Sequence, residues 1–537
     1  MAFAVLAVLL LCLATAGGEP PKHEVANAEL LRKLHEVTAD FERYKDQSAK
    51  EFARIEAMAY GRSEDQAPGS PRRTQTADFA AAVADLQGAM NHMWLLLCGA
   101  LVMFMQAGFA MVEAGCCRSK NVQNILMKNL TDVCAGTICW WAFGWMFAYG
   151  PIEGLTKFAG NTEYFGHDFM AETSVGVIVP TDKPRDWFFQ WAFCSAAATI
   201  VSGGIAERVN FPGYFLYTLW MTCIIYPVVV AWTWSGNGWL QGGTEQNIND
   251  VGYVDFAGSG IVHMCGGVGA LVGAAVVGAR TGRWDPERQG EFDPHSLPLI
   301  VLGTFILWFG WYGFNCGSTL GMADTATGQL AASVAMNTTI AAATGGLTLL
   351  GLRLALYKKY DVGGMCNGIL AGLVSITAPC GNVESGSAFV IGLIGALIYQ
   401  GASSLLRIIR VDDPIDAFPV HGAAGMWGTL ATVIFDWGDG FGIFHGWGGF
   451  SCTQDTNGQC MEGARGKAFV ANLVGIICIA SWTALLSAVV LLPLKFGNLL
   501  RAEDEVQEHG MDTVKHSPPK AYTIADGVPT TKIAFAA

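Results

Sequence analysis

Asp255 and His263 stand eight residues apart in DFAGSGIVHMCGG (255–267), at the head of a long apolar run, and His421 sits in a similar setting in DAFPVHGAAGMWG (416–428). An ionisable side chain within hydrocarbon is costly and marks a functional position by default. A neutral imidazole has one donor and one acceptor nitrogen, so two in contact can share a proton and hand it on. Each histidine is followed four residues later by a glycine, Gly267 and Gly425, and preceded by an acid, Asp255 and Asp416. The plainer alternative is a histidine satisfied by a backbone carbonyl, and two matched histidines weigh against it. Zinc needs three or four ligands, usually in spacings such as HExxH, and the chain has none. No P-loop, nucleophile elbow or nucleic-acid signature is present either. The expectation is therefore a protein that is no enzyme, takes no metal or cofactor, and binds no nucleic acid.

The elements that carry these residues follow from composition. The chain has 537 residues, 52% hydrophobic and 14% charged, against about 25% charged in soluble domains. Apolar stretches of roughly 20 residues, each enough to cross the hydrocarbon as a helix, recur at 93–115, 125–149, 187–206, 213–233, 257–279, 297–316, 327–352, 363–380, 386–406, 417–436 and 468–494. They are continuous runs and not alternations, which excludes a β-barrel. The expected fold is an all-α polytopic membrane protein with eleven transmembrane helices. His263 opens the fifth span and His421 the tenth. Five spans separate them, an odd number, so the two halves are expected to form an inverted five-plus-five repeat that brings the histidines together.

Flanking segments complete the plan. Residues 1–16 read as a signal peptide, with an apolar core and a small-residue cleavage pattern. Residues 24–60 read as an extracellular helical segment with apolar steps of four and three, a short coiled coil or a surface-lying amphipathic helix. Residues 66–77 read as a linker, 90–497 as the membrane domain and 498–537 as a cytoplasmic tail. With the N-terminus outside, Arg118, Lys120, Arg208, Arg280, Arg283, Arg288, Lys358, Lys359, Arg407, Arg410, Lys495 and Arg501 fall inside, against Lys157, Lys183, Arg185, Arg465 and Lys467 outside. This bias follows the positive-inside rule. Cys452 and Cys460 share a long outer connection, where they form either a disulfide or two free surface thiols.

The stretches DFAGSGIVHMCGG and DDPIDAFPVHGAAGMWG closely resemble the ammonium transporter (Amt) family, as do FGWYGFNCGS (309–318), AERVNF (206–211) and RSKN (118–121). The resemblance runs from about 90 to 516. It implies a homotrimer in the plasma membrane with one pore per subunit, and ammonium, or its analogue methylammonium, as substrate. The family's outer recruitment site falls on Trp234 and Ser318 and its stacked phenylalanine gate on Phe193 and Phe314. The twin pore histidines fall on His263 and His421, and the acid needed for conduction on Asp255. Asp255 is also read as a cap for the fifth span. The implied mechanism recruits NH4+, deprotonates it and conducts NH3, with a proton relay, past the histidines. The alternatives are an ammonium sensor signalling through its tail and an Rh-type ammonia or CO2 channel. In the tail, HGMDTVKHS (509–517) resembles the family's regulatory segment. Val514 stands where a threonine is usual, while Gly510 and Asp512 imply docking against a neighbouring subunit, and a cytoplasmic regulator is a possible partner there.

Overall fold

The computed structural model describes residues 71–151, 158–174, 177–241, 248–249, 251–436 and 464–522. It divides into two units, Met1–Leu86 and Gln87–Ala537. In the first, residues 71–86 form the opening turns of a long helix, with Phe79, Val83 and Leu86 exposed. The signal peptide, the 24–60 segment and Cys452 with Cys460 lie outside the described residues.

Among the described residues each expected span falls on a helix: α1 (Pro71–Cys116), α2 (122–149), α3 (Lys183–Gly204), α4 (Phe211–Thr233), α5 (Ser259–Val277), α6 (Leu297–Gly317), α7 (Thr325–Tyr357), α8 (Val362–Thr377), α9 (Ser385–Ile408), α10 (418–435) and α11 (Ala464–Phe496). Seven of them are long and apolar enough to cross a membrane, and α8 is a shorter apolar helix. α1 starts inside the stretch expected as a linker. Pro71 opens it without loss, because a first-turn proline lacks only an N–H that has no helical partner, and the alanine-rich run behind it favours helix. The end of the bundle that carries Trp234 and Ser318 is termed the outer end below, and the opposite end the inner.

One feature departs from the all-α expectation. Between α2 and α3, β1 (Ala171–Ser174) pairs antiparallel with β2 (Val177–Pro180), in register Ala171 to Pro180. The β-branched run Val177-Ile178-Val179 suits a strand better than a helix. After α11, the tail forms two short helices, α12 (Asp504–His509) and α13 (Met511–Lys515).

The helices pack through small residues, as expected where lipid removes a hydrophobic drive between them. π-helical turns interrupt the ladder at Trp140–Gly144, Met221–Ile225, Ser259–Met264 and Phe418–Ala423. Such turns often mark functional positions, and the last two contain His263 and His421.

At the inner end the RSKN and AERVNF stretches meet in a buried ionic hub. Glu207 accepts from Arg118, from Asn121 Nδ2 at 2.7 Å and from Arg280 Nη1 at 2.5 Å. Asp412 accepts from the Arg280 backbone N–H at 2.8 Å and side chain at 2.9 Å. Burial alone would raise both carboxyls; the arginines overcome it and hold both below the ordinary range.

Candidate functional site

The site is built where α5 and α10 cross. Asp255 shapes the start of α5: its carboxylate accepts the N–H groups of Gly258 and Ser259 at 2.8 and 2.9 Å and of Gly260 and Ile261 at 2.8 and 3.0 Å. Tyr253 Oη donates to it as well, at 3.1 Å. Backbone amides that the first helical turn leaves without partners are thereby satisfied. Gly258, at φ +108°, supplies the left-handed turn that lets the chain fold back over the acid. Burial pushes the Asp255 carboxyl up, against the lowering pull of these donors.

The start of α10 repeats the device with a different acid from the one expected. Asp413, eight residues before His421 as Asp255 is before His263, accepts the N–H groups of Ala417 and Phe418 at 2.9 and 2.8 Å. Asp416 instead accepts hydroxyls from Tyr399 at 2.7 Å and Ser403 at 3.0 Å. Its own backbone turns left-handed at φ +58°, and it meets α10 through its carbonyl, which accepts the Val420 N–H at 3.0 Å.

The crossing itself is a close backbone contact. A Cβ at Gly267 would lie 2.1 Å from Gly422 N, and one at Gly425 would lie 2.5 Å from Ser259 O. With the backbones this near, His263 and His421 meet with Nδ1 to Nδ1 at 3.2 Å and ring centroids 5.2 Å apart. A hydrogen bond between like nitrogens needs one as donor and the other as acceptor, so this contact is suited to share one proton. His263 is fully buried, and its Nε2 has no protein partner among the described residues.

The other predicted residues line up on the outer side of this pair. His263 stacks on Phe314 at 5.2 Å, and Phe314 faces Phe193 at 4.1 Å. Phe193 meets Trp234 edge-on at 5.9 Å. Trp234 Nε1 donates to the Asp255 carbonyl at 2.9 Å, which fixes the indole. Ser318 Oγ donates to Phe314 O at 2.9 Å, leaving oxygen lone pairs to accept. On the inner side, His421 lines a cavity of about 20 Å³ with Phe109, Glu113 and Ile415, room for roughly one water-sized molecule. A wider chamber of about 690 Å³ lies next to it, lined by Asp361, Asp413 and Asp416 among others, and Asn367 and Ile415 border both.

Several residues here were not picked out from the sequence. Trp311 stacks on His263 at 5.0 Å and donates Nε1–H to Thr377 at 2.8 Å; it lies inside FGWYGFNCGS and reads as core. Glu113 and Asp132 are carboxylates within spans, satisfied by Ser202 at 2.6 Å and by Tyr214 and Thr218 at 2.5 and 2.7 Å. A scan of apolar runs for acids as well as histidines would have found them. Among the described residues no group of three or more potential ligands could hold a metal ion.

The tail meets its own chain. Asp512 accepts the N–H groups of Gln123 and Asn124 at the head of α2, both at 2.9 Å, and Met511 N donates to Asn121 at 2.8 Å. Arg288 pairs with Glu508 at 2.7 Å. The tail thus docks on the inner connections of its own subunit, where the α2 amides lie within reach and lack helical partners.

A profile of the Ammonium Transporter Family matches residues 93–522. The chain is 36% identical over 445 residues to Putative ammonium transporter 1 of Caenorhabditis elegans, covering 81% of this chain and 80% of that protein. It is 38% identical over 452 residues to Ammonium transporter Amt2 of Archaeoglobus fulgidus, with 82% and 92% covered. Among solved structures it is similar to one titled Sensor Amt Protein, with TM-score 0.66, 31% identity and 80% and 98% covered. It is also similar to Candida albicans Mep2, with TM-score 0.64, 27% identity and 78% and 87% covered. A polytopic helical chain with this match over most of its length belongs to the ammonium transporter family, and is a multi-pass membrane transporter of ammonium and not an enzyme.

Proposed function

We propose that this chain carries ammonium across the plasma membrane as a homotrimer, with the N-terminus outside, the tail in the cytoplasm and one pore in each subunit of an inverted five-plus-five repeat of crossing helices. NH4+ is recruited between the π face of Trp234, which attracts a cation, and the Ser318 hydroxyl, which accepts an N–H. Potassium has no hydrogen to donate, so the acceptor discriminates against it. Asp255 contributes twice: its carbonyl orients the Trp234 indole and its carboxylate adds negative potential at the pore mouth.

Phe193 and Phe314 close a dry constriction in which an intact ion is too costly. NH4+ therefore separates into NH3 and a proton, NH3 passes along His263 and His421, and the imidazole pair carries the proton to be rejoined at the inner chamber. The observation that carries this reading is the 3.2 Å contact of two buried imidazoles directly behind the phenylalanine pair. The residues Trp234 and Ser318 favour this reading over an Rh-type channel.

A sensor is the second reading, favoured by the likeness to a structure titled Sensor Amt Protein and by a tail that docks close to the inner pore mouth. Expression in cells lacking ammonium uptake, with methylammonium influx as the readout, separates the two. Influx supports the transporter; no influx from correctly trafficked protein supports the sensor.

A further inference from the structure

Ser318 is held by more than its own helix. α6 ends at Gly317, and the segment from Ser318 to Ala323 turns back on itself with Leu320 at φ +58°. Three side chains on one face of α1, at steps of four and three, grip this turn. Trp94 Nε1 donates to Thr319 Oγ1 at 3.1 Å, the Met322 N–H donates to Asn91 Oδ1 at 2.8 Å, and Gln87 Nε2 donates to Ala323 O at 3.2 Å. The fit is close: a Cβ at Gly321 would lie 2.6 Å from Asn91 Oδ1. Beside them, His92 Nε2 lies 3.4 Å from Asp182, the residue that precedes α3 and hence the helix of Phe193.

We infer that the face of α1 formed by Gln87, Asn91 and Trp94 is the positioning element of the outer recruitment site, with Asn91 its central residue. The inference rests on the reading of Trp234 and Ser318 as that site. Ser318 acts only if its oxygen is held at a fixed distance from the Trp234 face, and a binding group must be kept within about 0.5 Å by its supporting contacts. α6 fixes one side of the residue and the turn fixes the other. The turn's other hydrogen bonds are short-range, to Asn315, Cys316 and Gly317 and within the turn itself, so α1 supplies the side-chain hydrogen bonds that tie it to the rest of the bundle. Among the described residues none of the three bonds to or stacks on Phe193, Phe314, His263 or His421, so their loss weakens recruitment and leaves passage past the histidines alone.

The test compares Asn91→Leu, which removes the acceptor at similar size, with Asn91→Asp, which keeps an oxygen acceptor. Both are measured for methylammonium uptake and for hydrogen exchange of residues 318–323. Asn91→Leu is expected to raise KM roughly 3- to 10-fold, the worth of one hydrogen bond, with kcat unchanged and faster exchange at Met322. Asn91→Asp is expected to restore a low KM and slow exchange. A wild-type KM in Asn91→Leu, or an equal rise in both variants, overturns the inference. An inactive wild-type chain overturns the transport reading instead, and is told apart because it shows no uptake in any variant.

Discussion

Asp255 and Asp413 stand the same eight residues ahead of His263 and His421, and each carboxylate caps the backbone of the helix that carries its histidine. The pair gives the pore a repeated unit of acid, π-helical turn and imidazole. Each acid lies in the connection just before its helix, so that connection fixes the first turn that carries the imidazole.

Asp255→Ala leaves four amide N–H groups without their acceptor, and the expected cost is about 2 kcal/mol or more. Asp255→Asn keeps one acceptor oxygen and is expected to melt between Ala and wild type. Thermal melting of the purified protein in detergent checks this. A wild-type melt for Asp255→Ala would remove the capping role.

The backbone contact at the α5–α10 crossing predicts a contrast between glycines. Gly267→Ala forces a methyl against Gly422, and overpacking of this kind costs about 1–3 kcal/mol; it also pushes the histidines apart and lowers transport. Gly351→Ala, in α7 with nothing within 4 Å of the added Cβ, is expected to leave melting and uptake unchanged. Similar melts for the two variants would contradict the close crossing.

Tail docking is expected to depend on pH through His516. Its Nε2 lies 2.9 Å from Asn124 Nδ2 and is placed to accept that N–H. Burial pushes the imidazole below its usual 6.5, with Lys128 acting the same way and Asp512 opposing. A group with a depressed docked-state value favours the docked state above its free value and loses that support as pH falls through the docked one. Docking is therefore full near pH 7.5 and weakens below 6.5. Limited proteolysis between Leu500 and Tyr522 at pH 7.5 and 5.5 reads it out, with His516→Gln insensitive to pH. Equal protection of the wild type at both values would dismiss the switch.

The hub around Glu207 behaves differently. Glu207→Gln leaves Arg118 buried without its carboxylate and Arg280 with Asp412 alone, a loss of about 3–5 kcal/mol. Because Glu207 and Asp412 titrate below the ordinary carboxylate range, their support is complete above about pH 4 and lost only as pH falls lower. Melting curves flat from pH 6 to 8 in the wild type, and much lower in Glu207→Gln, are the expected result.

The helices were legible because each apolar run has the length that hydrocarbon demands, and the meeting of His263 with His421 was legible from the odd number of spans between them. The cap on α10 was not. DDPID holds Asp412, Asp413 and Asp416, and only the eight-residue spacing singles out Asp413. Residues 71–77 look like a linker by composition, yet Pro71 fits a helix start as well as a turn. The partners of Asp512 lie 388 and 389 residues away, and no local pattern reports a contact of that range. The grip of Asn91 on Met322 escapes for the same reason.

The central claim is that ammonium crosses as NH3 with its proton passed between His263 and His421. Ammonium-evoked current and potassium permeation in liposomes containing the wild type and His263→Ala test it most directly. Proton-coupled current without potassium passage is expected in the wild type, and in His263→Ala either no current or a leak that admits potassium. Unchanged current and unchanged selectivity in His263→Ala would contradict it.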